Sequence, residues 1–312
     1  MNIFDYKKTP LIRINQQVGK CSIWVKDESK NPTGTFKDRL AWALTRQLWG
    51  QSNLNEVLIS CITMGNTVKS IGYFFSKLFA ENNCPQILGL FPQGFSKRII
   101  GPDSSGKTIT GLDLINYCEG VRCEEIDLET RYLTPEDIKK IAIDFGMKFN
   151  VYRDVSYGIG EMCYSVILKE ALEQMPELPS HIYVPVGAGV LFDECVEVVE
   201  SSKIDAIVVG ITVVNENSLA DKIYGYYSPY FQSLLKNKIA YHPKYDRHPV
   251  IIVSDDEIKG ALQFTSAIGI DTEPSAAASF VPIVKQERDR EYFPVCDNVL
   301  VINTGNGMNN IQ

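Results

Sequence analysis

Long apolar runs are missing from this sequence. The longest, such as Ala206 to Val214, fall well short of the roughly 20 residues that a membrane-spanning helix needs, so a membrane partner is not expected. The opening Met1-Asn2-Ile3-Phe4-Asp5-Tyr6-Lys7-Lys8-Thr9-Pro10 has no apolar signal core, and a soluble, cytoplasmic protein is the expectation. Basic runs are missing too. The 31 Lys and Arg stand against 38 Asp and Glu, a formal net charge of -7, which argues against a nucleic acid as partner. Histidine is scarce: His181, His242 and His248 make neither a ligand spacing with cysteines or acids nor a Ser-His-Asp pattern, so no metal is expected. The eight cysteines never take C-x-x-C spacing, and several lie in apolar patterns such as Ile59-Ser60-Cys61-Ile62, where they read as reduced packing residues. Internal repeats, low-complexity segments and long linkers are also absent.

What is there is a chain of 312 residues with 45% hydrophobic content, enough for a large core and long enough for two lobes. One stretch dominates it: Asn31-Pro32-Thr33-Gly34-Thr35-Phe36-Lys37-Asp38-Arg39. A Pro/Gly turn delivers Lys37 to the first turn of a helix whose apolar face runs through Leu40, Trp42, Ala43, Leu44 and Leu48. The positive end of a helix dipole repels an ammonium there, and desolvation adds to the effect; both lower an amine's pKa, as a nucleophilic lysine requires. Pairing of Lys37 with Asp38 is the plainer reading of the same turn.

Three further turns share a strand-loop form. Val57 to Cys61 runs into Thr63-Met64-Gly65-Asn66-Thr67 and a helical pattern over Ser70 to Ala80, so that amides at the helix start are ready for an anion. His181 to Val186 leads into Gly187-Ala188-Gly189-Val190 and a helix over Leu191 to Glu200; its small residues let amides approach a phosphate, while Phe192 in place of a third glycine rules out the dinucleotide fingerprint. Asn298 to Asn303 ends in Thr304-Gly305-Asn306-Gly307, with a hydroxyl at the carboxyl end of a buried strand. Taken singly, each is equally a tight structural turn. Gly101 to Thr108 matches the phosphate-loop pattern G-x-x-x-x-G-K-[ST], but almost no strand precedes it and Pro102 removes a donor, so a nucleotide loop is not expected. Thr134-Pro135 predicts a helix to about Phe145, and Gly160-Glu161 a long helix ending near Pro176. Asn215 to Pro249 is polar, rich in tyrosine and left without assignment.

The lysine turn closely resembles the cofactor-lysine motif of the fold-type II pyridoxal-phosphate enzymes, the tryptophan synthase β family. Phe36 before Lys37 makes it most similar to threonine synthase. Thr9-Pro10-Leu11, Lys26-Asp27-Glu28, Glu273-Pro274-Ser275-Ala276 and the three glycine turns, all in family order, extend the resemblance over essentially the whole chain. It implies a two-lobed α/β fold with parallel-rich twisted sheets flanked by helices and the cofactor in the interlobe cleft. A large cofactor-binding domain would comprise 1–39 and 150–312, and a smaller mobile domain 40–149. It further implies pyridoxal 5'-phosphate in Schiff-base linkage to Lys37, its phosphate at Gly187, Ala188, Gly189 and Val190, Asn66 beside its phenolic oxygen, and Thr304 at its ring nitrogen. Thr63, Met64, Gly65, Asn66 and Thr67 would hold a substrate α-carboxylate, and a homodimer is the family's usual assembly. Met64 stands where small hydroxyl residues are common, Leu40 where threonine synthases have Gly, and Asn309-Asn310 where they have Lys-Asp.

The function implied is that of a lyase of amino-acid biosynthesis, converting O-phosphohomoserine to threonine, or a divergent relative. Its substrate phosphate would need a cationic pocket, for which Lys107 and Arg153 are candidates. A β-replacing synthase on a serine derivative, of the cysteine synthase or diaminopropionate synthase type, is the alternative. A catalytically silent pyridoxal-phosphate-binding protein is the non-enzymatic one.

Overall fold

Strand sequences of two kinds recur along the chain: runs buried on both faces and shorter polar ones. The computed structural model describes residues 6–18, 21–102, 107–118, 120–128, 133–156, 159, 162–215, 217–224, 247–285 and 298–306. In chain order the strands are β1 (Leu11–Val18), β2 (Cys21–Asp27), β3 (Val57–Ile62), β4 (Gln86–Pro92), β5 (Ile99–Pro102), β6 (Thr108–Thr110), β7 (Val121–Ile126), β8 (Val151–Asp154), β9 (His181–Pro185), β10 (Ile207–Thr212), β11 (Val250–Ile252) and β12 (Asn298–Asn303). The α-helices are α1 (Lys37–Leu48), α2 (Asn66–Leu78), α3 (Gly111–Tyr117), α4 (Pro135–Asp144), α5 (Ser165–Gln174), α6 (Val190–Ser201), α7 (Asp255–Ala267), α8 (Pro274–Ala277) and α9 (Val281–Val284). Contacts divide the described residues into two units. Among them the first draws on residues 6–7 and on the described part of Lys37–Cys163, the second on the described parts of Lys8–Phe36 and Tyr164–Asn306.

The second unit is built on the sheet β1-β2-β12-β9-β10-β11, in which only the β1–β2 pair is antiparallel. β12 lies between β2 and β9, and its Val299, Leu300, Val301 and Ile302 are buried on both faces, as a central parallel strand requires. The same strand pattern carries a charge inward on β2. Lys26 is fully buried, and its ammonium donates to Thr9 O (2.7 Å), Glu170 Oε2 (2.8 Å) and Gln174 Oε1 (3.0 Å), which uses all three of its protons. That network docks α5 against the sheet. The helix expected from Gly160 starts instead at Ser165; Gly160 and Glu161 lie outside the described residues. Glu194 of α6 accepts the backbone N–H groups of Tyr164 (2.7 Å) and Ser165 (2.6 Å), satisfying donors that a helix start leaves open and fixing where α5 begins.

In the first unit the parallel sheet β7-β4-β3-β8 has Leu58, Leu88 and Leu90 on a face packed with Ile138 and Ala142 of α4. α4 runs as expected, with Thr134 and Asp137 forming a reciprocal cap. α2 begins at Asn66, four residues before the expected Ser70, because Gly65 turns the chain directly into the helix. The described part of the phosphate-loop match does not itself open a helix: β5 and β6 are an antiparallel pair, Lys107-Thr108 leads into β6, α3 starts only at Gly111, and residues 103–106 lie outside the description. No helix among the described residues is long and apolar enough to cross a membrane.

One buried titratable group ties the edge of the second sheet together. His248 accepts the Val208 N–H at Nδ1 (3.0 Å) and faces Glu200 through Nε2 (2.9 Å), so the neutral ring is the one that fits; burial, then the Arg247 charge, push its pKa below 6.5 against the pull of Glu200. A lowered folded-state value means that the unfolded chain takes up this proton first, so the stabilisation is complete above about pH 6.5 and is lost as pH falls below it. Thermal unfolding followed from pH 8 to 5 is expected to show a midpoint that drops below about pH 6.5, with a shallower drop in His248→Gln. Parallel slopes in the two proteins would refute the assignment.

Candidate functional site

Parallel neighbours end at the same edge of a sheet, and α/β proteins bind ligands at the carboxyl ends of their strands. In the second unit, β2, β12, β9 and β10 are parallel neighbours in that order. From their carboxyl ends leave the lysine turn, Thr304-Gly305, the Gly187 loop and the segment from Val213. Three of the turns singled out in the sequence thus start from one edge.

The lysine turn is fixed to the end of β12 by backbone bonds. Phe36 N–H donates to Thr304 O (3.0 Å), Asn306 N–H to Gly34 O (2.9 Å), and Thr35 bridges to Gly305. Gly305 has φ of +111°, and a Cβ there would stand 2.1 Å from Gly34 O, so only glycine permits this closeness. Inside the turn, Gly34 N–H donates to Asn31 O (2.9 Å), while the Asn31 amide donates to Glu28 Oε2 (2.7 Å) and to Thr35 O (3.2 Å). Asn303 plays the matching part on β12. Its amide donates to Asp27 Oδ1 (2.8 Å) and Asp271 O (3.0 Å), and its Oδ1 accepts Gly305 N–H (3.1 Å). Phe36 closes the arrangement with its ring 4.9 Å from that of Tyr164. Thr304 is buried at the strand end.

At the end of β9, Gly187 packs so closely that a Cβ would lie 2.5 Å from Lys222 O. Ala188 follows, Gly189 is the N-cap of α6, and Val190 is its first residue. The first-turn N–H groups of a 12-residue helix therefore begin at this loop, the arrangement that holds a phosphate.

In the first unit, Lys37 is the first residue of α1, half-buried, beside the buried Asp38 and Arg39. Arg39 lies with its guanidinium 4.6 Å from the centre of the Tyr6 ring. Thr63 continues from β3 with its N–H on Leu90 O (2.9 Å), and its Oγ1 accepts Gly65 N–H (2.9 Å). Asn66 and Thr67 form the first turn of α2, with Met64 half-buried before them. Cys61, at the end of β3, is a thiol pushed up by burial, then by Asp154 and Cys123, and pulled down by Lys37. Arg153 is elsewhere: its Nη1 donates to Gln47 Oε1 (3.2 Å), ten residues or about 15 Å further along α1 than Lys37. Lys107 is exposed near Asp113, whose carboxyl it helps to lower after the Thr110 hydrogen bonds. Asn309 and Asn310 lie outside the described residues.

Two further residues at this edge of the second unit carried no site role in the sequence. Lys222 falls within Asn215 to Pro249, and Glu273 opens the Glu273-Pro274-Ser275-Ala276 segment of the resemblance without a role of its own; together they form an ion pair of 2.5 Å, 15% and 8% exposed.

Over residues 4–76 the chain matches the family model described as pyridoxal-phosphate dependent enzyme. No curated protein matches the sequence. Among solved structures, an O-ureido-L-serine synthase (K43A mutant, with O-ureido-L-serine bound) is 12% identical, with TM-score 0.69 over 98% of this chain and 89% of that one. Serine racemase from Dictyostelium discoideum is 20% identical, with TM-score 0.65 over 96% and 92%. A threonine deaminase from T.th. is 15% identical, with TM-score 0.64 over 96% and 92%. The fold is that of the fold-type II pyridoxal-phosphate enzymes. The matched family's cofactor, pyridoxal 5'-phosphate, suits the residues present: a glycine cradle with no room for a Cβ, helix N-terminal amides for a phosphate, and a buried threonine at the neighbouring strand end.

Gly305→Ala is expected to destabilise the second unit by about 2 kcal/mol or more, because its methyl would meet backbone and not a yielding side chain. Urea unfolding measures the loss. A variant as stable as the parent would show that the turn and β12 are not held as described.

Proposed function

We propose that the chain is a pyridoxal-phosphate-dependent enzyme that eliminates or replaces a side-chain substituent of a small amino acid. The observation that carries this reading is the hydrogen bond from Phe36 N–H to Thr304 O, which holds the residue before Lys37 on the strand end beside the Gly187 loop. Bound pyridoxal phosphate supplies an electron sink for charge developing at a substrate's α-carbon. Lys37 is the residue that holds the cofactor and then moves the α-proton on its Nζ. The amides of Gly187, Ala188, Gly189 and Val190 take the phosphate, and the dipole of α6 favours its charge. Thr304 offers the ring nitrogen a neutral hydroxyl, which does not enforce ring protonation as a carboxylate would. Thr63, Met64, Gly65, Asn66 and Thr67 hold the α-carboxylate at the start of α2, with Asn66 beside the cofactor's phenolic oxygen. The Met64 thioether has no proton to give, so proton handling falls to Lys37, which suits elimination better than a two-base racemisation.

Within this class the threonine synthase-like reading, O-phosphohomoserine to threonine, needs cations for the substrate phosphate. Lys107 stays a candidate, but Arg153 is engaged by Gln47 far along α1. That placement favours a second reading, a β-replacing synthase acting on an uncharged serine derivative.

Reconstitution with pyridoxal phosphate is expected to give an absorbance band near the visible edge that borohydride removes and Lys37→Ala lacks. Turnover in Lys37→Ala should fall by at least about a hundredfold. Titration then separates the readings: O-acetylserine shifting the band at lower concentration than O-phosphohomoserine supports β-replacement, and the reverse supports the threonine synthase-like one. A band that persists in Lys37→Ala would sink the assignment of the lysine.

A further inference from the structure

The segment behind the Gly187 loop is pinned at three places, and one pin is charged. Thr212 Oγ1, at the carboxyl end of β10, donates to Ile223 O (2.7 Å). Asp255 Oδ1 accepts the Ser218 hydroxyl (2.5 Å) and the Leu219 N–H (3.1 Å). The third pin is the Lys222 ammonium on Glu273 Oε2 (2.5 Å), both side chains mostly shielded from water.

Each end of this ion pair touches a different part of the edge. On one side the backbone carbonyl of Lys222 abuts Gly187, leaving no space for a side chain. On the other, Glu273 N–H donates to Gly305 O (3.2 Å), and Glu273 O accepts the N–H groups of Ala276 (2.9 Å) and Ala277 (2.8 Å), so the residue is anchored at the head of α8 and against the end of β12. One side-chain contact therefore couples the floor of the glycine loop to the strand end that carries Thr304. A shielded pair of this kind favours a single geometry, because a shift of either partner leaves an unsatisfied charge away from water.

We propose that Lys222 and Glu273 are positioning residues that hold the Gly187–Val190 loop and Thr304 at the spacing pyridoxal phosphate requires, so that the ion pair sets the affinity for the cofactor. The proposal rests on the reading of this edge as a pyridoxal-phosphate site. Neither residue touches a reacting atom in it; both act through the backbone of Gly187 and Gly305. A purely structural pair would affect the stability of the apoprotein and leave cofactor affinity alone.

The test is titration of the apoprotein with pyridoxal phosphate, followed by absorbance, alongside urea unfolding of the same apoproteins. Lys222→Met and Glu273→Gln are each expected to raise the dissociation constant by on the order of tenfold, the double variant by less than the product of the two, and Lys222→Arg, which keeps the charge, by much less. Variants that lose unfolding stability yet bind the cofactor as tightly as wild type would overturn the proposal and leave the proposed function standing. Wild-type protein that binds no pyridoxal phosphate would overturn both. Should the neutral variants fail to fold, Glu273→Asp decides, because it keeps the charge but withdraws it by one methylene: a tenfold weaker affinity is expected, and an unchanged one overturns the clamp.

Discussion

The turn that leads into Lys37 is held by its backbone, and that constraint organises the edge around it. In this chain that constraint is met by joining residues that are some 270 positions apart: the amides and carbonyls of Gly34, Thr35 and Phe36 are paired with those of Thr304, Gly305 and Asn306. The remaining features of the edge follow from the pairing. Gly305 is glycine because Gly34 O stands where a side chain would be. Asn31 and Asn303 are asparagines because each must offer its amide protons to two acceptors, Glu28 and Thr35 for the first, Asp27 and Asp271 for the second. Glu28 is tolerated in the interior since Thr9 and Asn31 both donate to it.

How much of this could be read from sequence depended on how local the cause was. The central strands His181 to Val186 and Asn298 to Asn303 were legible almost to the residue, being apolar runs bounded by turn chemistry. The helix of Thr134-Pro135 was equally legible, since its cap lies within four residues. β8 and β11 were not, because a strand of three or four residues at a sheet edge is identified by its partner's register and not by its own composition. The start of α5 was displaced for a similar reason: the carboxylate that fixes it belongs to Glu194, on the next helix.

The site itself divides along the same line. Lys37 and the glycine turns stood out because φ, close approach and helix starts demand particular residue types at short spacing. The Lys222–Glu273 pair and the Lys26 network gave no such signal, since a single charged residue in sequence does not announce a partner far along the chain. The letter-for-letter phosphate-loop match shows the converse. Its residues are the right ones, yet Gly101-Pro102 and Thr108 belong to an antiparallel strand pair and not to a buried strand running into a helix start.

The position of β12 bears on how the protein is made. It is the last of the sheet's strands to leave the ribosome, yet it occupies the middle of the sheet, with β2 on one side and β9 on the other. Until it arrives, β1 and β2 have no route to the strands that follow them, and the loop that joins β2 to β12 spans most of the chain. Residues 37–163, whose own sheet is complete long before, are free to fold during synthesis, while the second unit waits with two open strand edges. A nascent chain stalled short of Asn298 would therefore carry the completed sheet β7-β4-β3-β8 and an unclosed second sheet, the state most exposed to aggregation and to chaperones.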